Sequence, residues 1–244
     1  AACRGEGFIL RFFPDFSSDD VRRVALLMAP AMFGAAVMQV NVAVDRLLAG
    51  ILGSTATSAL YYSQRLAYLP VGLFGVALAV VCLPEMSRCC AREDWEMARG
   101  TLHFSLRMAL FLSLPLAVFL ALMNAPLVAL LFEHGVFGRH AKAETVWALW
   151  FYVPGIPAFV CAKVATTPFH AQQNTATPVR IAVFCMLLNI VLNIVFMQFL
   201  RQGGLALATT VCSYLNNALL LWCLRKQVCR LDLGQMLPGI ARTV

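Results

Sequence analysis

The sequence predicts an all-α integral membrane fold: a six-helix transmembrane bundle with kinked helices and one short interfacial helix. Three observations predict it. Of the 244 residues, 61% are hydrophobic and only 13% are charged, and the mean hydropathy is +0.77, far from the balance of a soluble domain. The apolar residues form six runs that reach the ~20 residues needed to cross a bilayer. Basic residues gather in alternate loops, as the positive-inside rule requires of a multi-pass protein.

Taken in order, the spans are expected at 24–51, 56–83, 101–123, 145–169, 179–200 and 205–224. Between the third and fourth, the apolar piece 125–132 is stopped by Glu133-His134-Gly135 after roughly two turns, too short to cross; it reads as interfacial or re-entrant. A polar stretch through Arg23, with no signal peptide before it, reads as a piece of a longer polypeptide. The organisation expected is a cytoplasmic linker over 1–21, a transmembrane lobe over 22–230 and a cytoplasmic tail over 231–244.

The N-terminal arm, the 84–100 loop, the link holding Arg180 and the C-terminal tail carry most of the Lys and Arg, whereas the opposite loops hold Arg139, Lys142 and Arg201. Both ends are therefore expected in the cytoplasm, in agreement with an even number of spans. The net charge of +7 is accounted for by these loops and implies no nucleic-acid partner. Tyr61, Tyr62, Trp147, Trp150 and Tyr152 gather near the expected outer ends, Trp95 and Trp222 near the inner ones; an interfacial belt and scattered core aromatics both fit. Prolines at 30, 70, 115, 154, 157 and 168 each remove a backbone donor and are expected to bend or break their helices, which suits a protein that changes shape and is also tolerated in membrane helices generally.

Nine cysteines form no Cys-x-x-Cys pair, and Cys82, Cys161, Cys185, Cys212 and Cys223 sit inside apolar runs, as small core residues do. Catalytic motifs are missing: no Gly-x-Ser-x-Gly, no phosphate-binding glycine loop with a lysine, no His-Cys-acid cluster with ligand spacing. An enzyme is disfavoured. Lys163 and Arg107 lie close enough to helix ends to snorkel.

The informative residues are the polar ones at membrane depth, where a charge costs a few kcal/mol unless it meets a partner or a polar cavity. Asp45 lies about eight residues in from Gly53, Asn193 and Asn189 about nine and thirteen from Gln202, and Thr209 about six, so all fall roughly 9–20 Å below the same surface. Asn189 and Asn193, spaced i, i+4, leave one helix face, and a short turn through Gly203-Gly204 would bring Thr209 opposite them. One carboxylate, two amides, a hydroxyl and a freed backbone carbonyl make an all-oxygen set suited to a hard monovalent cation such as sodium. The alternative is that the amides and hydroxyl merely join helices and that Asp45 pairs with Arg46 or another base. Arg65, about nine residues into the second span, is the other charge of interest, because a guanidinium can hold phosphate bidentately; its alternative is snorkelling.

These residues also carry a resemblance. The stretch Asn41-Val42-Ala43-Val44-Asp45-Arg46-Leu47-Leu48-Ala49, then Ser58-Ala59-Leu60-Tyr61-Tyr62 through Arg65-Leu66, Leu69-Pro70-Val71-Gly72-Leu73-Phe74-Gly75, Leu83-Pro84-Glu85-Met86-Ser87-Arg88, Phe132-Glu133-His134-Gly135-Val136-Phe137, Thr177-Pro178-Val179-Arg180 and Gly203-Gly204-Leu205-Ala206-Leu207-Ala208-Thr209 together resemble the MurJ/MviN lipid II flippases, in order and over nearly the whole chain. That family belongs to the multidrug, oligosaccharidyl-lipid and polysaccharide exporter superfamily, whose members set two six-helix lobes around a central cavity. This chain looks like the C-terminal lobe.

The resemblance implies transport of lipid II, the lipid-linked peptidoglycan precursor, across the bacterial inner membrane by alternating access. The implied partners are lipid II, membrane lipid and an N-terminal lobe of the same polypeptide. Arg65 matches a family arginine that binds the substrate head group; many members carry an acid just before it where this chain has Gln64. The family's sodium site maps onto Asp45, Asn189, Asn193 and Thr209, with the Leu205 carbonyl as a further ligand. Asn193 replaces a second acid found in some members, which lowers the charge of the site. A possible sodium ion is the only cofactor implied. Two rival readings are a drug or polysaccharide-lipid exporter of the same superfamily and a non-transporting membrane scaffold for cell-wall synthesis.

Overall fold

A computed structural model describes residues 19–132 and 138–227, with side chains from residue 32 onward except that of 33 and 227. The expected linker (1–21, apart from its last three residues), the tail 231–244 and the motif at 133–137 lie outside the described residues.

Among the described residues the chain is helical throughout, with no strand. The helices are α1 (Asp19–Leu52), α2 (Ser54–Pro70), α3 (Val76–Ala91), α4 (Trp95–Leu122), α5 (Asn124–Phe132), α6 (Arg139–Tyr152), α7 (Ile156–Ala165), α8 (Thr167–Ala171), α9 (Ala176–Leu200) and α10 (Gln202–Gln227). They assemble into six segments long and apolar enough to cross a membrane, at Gly34–Leu52, Ser54–Ala91, Trp95–Leu122, Arg139–Ala171, Ala176–Leu200 and Gln202–Lys226. The six-helix membrane bundle expected from the sequence is what the chain forms.

Local chemistry explains the breaks. Gly53 separates α1 from α2 at φ 122°, a conformation that favours glycine. Pro70 cannot donate, and the chain widens after it into a π turn over Val71–Gly75, where the Val76 N–H reaches back to the Val71 carbonyl. Pro154 lies in the 3₁₀ turn Val153–Gly155, and Pro157 and Pro168 occupy the first turns of α7 and α8, where a missing N–H costs nothing. The fourth span is thus four short pieces rather than one helix.

Pro30 and Pro115 lie within α1 and α4, which run on through them unbroken. One expectation changes. The 84–100 loop shrinks to a tight turn: α3 continues past Pro84 to Ala91 with Met86 and Cys89 buried, and the Asp94 side chain caps α4 by accepting from the Met97 N–H at 3.0 Å. The helix outruns the apolar stretch because α3 still lies against α4 and α8 there, with Met86 and Cys89 turned into the core.

The interior is packed with small residues that let helices approach closely, Ala49, Ala59, Ala67 and Ala109 among them. Large apolar side chains such as Leu47, Leu73, Phe104, Leu122 and Phe199 face outward, the arrangement of a bundle whose solvent is lipid. α9 and α10 form the most extensive pairing among the described residues; α1 packs on α9, and α10 on α6 and α7.

The glycine pair works differently from the expected turn. The chain reverses at Arg201, which takes φ 52°, while Gly203 and Gly204 lie inside the first turn of α10. A Cβ on Gly204 would overlap the Phe196 carbonyl, and one on Gly203 would meet the rings of Trp147 and Phe151 at 2.7 and 2.8 Å. The glycines serve close approach, and Trp147 completes the junction by donating from Nε1 to the Leu200 carbonyl at 3.3 Å.

Candidate functional site: a buried carboxylate–amide cluster and an exposed arginine pair

Asp45 is buried between α1, α9 and α10, and Asn189 and Asn193 are buried with it. The i, i+4 spacing does what it predicts: both amides leave one face of α9. Asn193 Nδ2 donates to Asp45 Oδ1 at 2.6 Å and to Asn189 Oδ1 at 2.9 Å. The Asn189 amide also fits in the opposite orientation, with its nitrogen 3.1 Å from Asn41 Oδ1 and 3.3 Å from Asp45 Oδ1 and its oxygen accepting from the Thr209 N–H at 3.2 Å. Five residues therefore share one polar cluster.

The other predicted members differ in how they join. Thr209 touches the cluster through its backbone, while its hydroxyl donates to the Leu205 carbonyl at 3.0 Å. That carbonyl is not freed, because α10 is unbroken there, with neither proline nor a π turn to release it. Asp45 does not pair with Arg46: neighbours on a helix diverge by about 100°, so Asp45 turns inward while Arg46 is exposed.

Asn41 is the member the sequence reading missed. It sits one turn before Asp45, the same i, i+4 signal that singled out Asn189 and Asn193, and both line the same cavity.

Could the cluster hold a cation? Its side-chain donors can all be oxygen, with one net negative charge, the chemistry of a hard monovalent ion. Asn193 Oδ1 is buried without a hydrogen-bond partner, an orphan acceptor of the kind a cation would satisfy. The residues fit the ion.

Arg65 lies elsewhere. It is exposed on α2, where Nε and Nη2 donate to the Tyr61 hydroxyl at 3.1 and 2.6 Å and the guanidinium sits 5.1 Å from the Tyr61 ring centre. The Arg46 guanidinium approaches the same ring at 5.8 Å. One tyrosine thus gathers two guanidinium groups, and among the described residues neither has a carboxylate partner. Arg46 was considered in the sequence only as a partner for Asp45; its real neighbour follows from α1 packing on α2.

On α10, a second polar stripe secures the break in the fourth span. Thr210 donates to the Phe151 carbonyl at 2.7 Å, Tyr214 to Pro154 at 2.6 Å and Asn217 to Ala158 at 2.7 Å. These bonds hold α10 against α6 and α7.

Known proteins share this sequence and arrangement. The family model described as lipid II flippase MurJ matches residues 1–243. A Vibrio cholerae protein named "Probable lipid II flippase MurJ" is 37% identical over 200 residues, covering 82% of this chain and 38% of the relative. The lipid II flippase MurJ of Burkholderia cenocepacia is 33% identical over 207 residues, covering 85% and 40%. The solved structure of a lipid II flippase MurJ in an inward closed conformation superimposes with a TM-score of 0.75 at 27% identity, covering 88% of this chain and 45% of that one. An outward-facing multidrug resistance MATE transporter has the same fold, with a TM-score of 0.76 at 18% identity. The chain spans about two fifths of the length of the curated relatives it matches. With a model match over almost every residue, the chain belongs to the lipid II flippase MurJ family.

Proposed function

We propose that this chain is the C-terminal lobe of a cation-coupled lipid II flippase of the bacterial inner membrane, with both ends of the lobe in the cytoplasm and a second lobe completing the central cavity. The observation that carries the substrate half is the Arg46–Tyr61–Arg65 group. Two guanidiniums at membrane depth cannot be left against hydrocarbon without a cost of a few kcal/mol each, so the exposed face that carries them lines a polar space. A pair of forks held together by one ring matches an anion with two phosphate groups, such as the diphosphate of a lipid-linked sugar.

The cation half rests on the Asp45 cluster. Asp45, Asn189, Asn193 and Thr209 would hold a sodium ion, with Asn41 beside them. When bound, the ion supplies a positive charge among these oxygens. Exchanging the Asn193 amide would set its oxygen where its nitrogen now lies, 2.6 Å from Asp45 Oδ1 and 2.9 Å from Asn189 Oδ1; a cation between these oxygens would relieve their repulsion. Ion binding would then reorient one amide that bridges α1 and α9, and coupling follows if only one packing of the lobes permits the reoriented state.

The test is made in the intact protein, in cells whose own lipid II flippase is depleted. Arg65→Ala is expected to abolish rescue and leave lipid II accumulating on the cytoplasmic face, with the protein still folded and inserted. Undiminished rescue by Arg65→Ala and by Arg46→Ala/Arg65→Ala would overturn the substrate reading and favour the scaffold.

A further inference from the structure

The Asp45 cluster forms one end of a partly open cavity of about 390 Å³ lined by α1, α2, α7, α9 and α10. We propose that this cavity is a cation route inside the lobe, leading from the cluster to the α8–α9 turn, with Thr209, Ser213 and Asn216 as its polar stair. The proposal rests on the cation reading of Asp45.

Three helices give the cavity the same course. On α1 it runs from Asp45 to Gly34, on α10 from Thr209 to Leu220, and on α9 from Asn189 back to Thr175 before the helix begins. Eleven residues of helix span roughly 16 Å, so the first two agree in length while running in opposite directions. The far end reaches Thr166, His170 and Thr175, at the connection between two membrane-spanning segments. The cavity therefore extends from the buried carboxylate toward one membrane surface, the cytoplasmic one in the orientation proposed above.

The lining is mostly apolar, Val37, Val42, Val179 and Met186 among it, and one polar stripe on α10 crosses it. Thr209, Ser213 and Asn216 follow at intervals of four and three residues, so successive polar groups on α10 rise by roughly 4.5–6 Å along the helix axis. Among the described residues, Ser213, Asn216 and Gln64 make no hydrogen bond, although all three line the cavity. Polar groups facing a membrane-depth space stay there at a cost unless water or an ion meets them. In the neighbouring stripe, by contrast, Thr210, Tyr214 and Asn217 each donate to a backbone carbonyl, with Asn217 Oδ1 alone left without a partner.

The space admits on the order of ten waters. Lys163 lines the same cavity, its stem packed beside Gly75. Its positive charge opposes a bare cation part-way along, so passage there depends on the water that screens it, whereas the Asp45 cluster carries the opposite charge.

The chain carries its own reporters. Cys185 and Cys212 line the cavity, while Cys82, buried like them, does not. The intact protein in inside-out membrane vesicles is treated with aminoethyl methanethiosulfonate, and each thiol is followed by peptide-resolved mass spectrometry. Cys185 and Cys212 are expected to react at least about tenfold faster than Cys82, whose exposure requires local opening. Sodium in place of choline is expected to slow Cys212, and Asn216→Leu to slow both thiols; Ser213→Val serves where Asn216→Leu does not fold.

Thiols at 185 and 212 as unreactive as Cys82, in a protein that sodium still stabilises against heat, would overturn the route and leave the cation site standing. Fast labelling that sodium does not slow, with sodium still stabilising, would reduce the cavity to a water pocket and also overturn it. Sodium that neither protects nor stabilises would sink the cation reading of Asp45 and the route together.

Discussion

Two polar stripes run along α10 one residue apart and meet opposite surroundings. Thr210, Tyr214 and Asn217 each reach a backbone carbonyl at the broken fourth span. Thr209, Ser213 and Asn216 turn toward the cavity, and beyond Thr209 they make no hydrogen bond among the described residues. The residue types and the 4-then-3 spacing are nearly the same. A rotation of about 100° per residue separates a stripe that fastens helices from one left free for a solute. Intramembrane polarity is thus informative about function only once its partners are known.

The sharpest way to break the comparison is to move the helix that carries both stripes. Gly204→Ala drives a Cβ into the Phe196 carbonyl and is expected to cost about 3 kcal/mol, read as a fall in thermal midpoint in detergent. Gly50→Ala meets nothing within 4 Å and should stay within about 0.5 kcal/mol.

Next in size is the floor of the free stripe. Asp45→Asn keeps the shape of the cluster and removes its charge, so sodium-dependent stabilisation, about 2.7 kcal/mol at a hundredfold excess over Kd, should vanish. Retention of the full sodium response in that variant would assign the ion elsewhere.

Smaller still is the loss of one fastening bond. Thr210→Val or Asn217→Leu should cost about 1 kcal/mol of stability, near the range measured for hydrogen bonds between membrane helices, with the sodium response unchanged. Ser213→Ala is the smallest: a change under about 0.5 kcal/mol in stability, visible only as slower labelling of the cavity thiols. A stability loss at Ser213 equal to that at Thr210 would erase the distinction between the stripes.

Much of this was legible in the chain itself, for reasons that differ from residue to residue. Apolar run length and the placement of arginines disclosed the six spans, because bilayer thickness and helix rise leave few alternatives. The Asn189–Asn193 pair was readable because i, i+4 is a local property of one helix. Asn41 carried the same signal beside Asp45, but an amide counts as a cluster member only when another helix supplies its partners. Arg46 was misleading in sequence: adjacency to Asp45 suggested an ion pair, and helical divergence placed it on the Tyr61 ring instead. Pro84 and Gly203-Gly204 looked like punctuation, yet they lie inside helices, since packing against a neighbour outweighed the local preference.

The sequence alone determined that this is a membrane bundle, which segments cross, and that a few ionic groups persist at depth, because transfer free energies and helix periodicity act residue by residue. Only the tertiary structure decided which of those groups share a cavity, which are fastened to backbone and which stand exposed. Those distinctions depend on the rotation and closeness of helices far apart in the chain, quantities set by side-chain packing and not by any one segment.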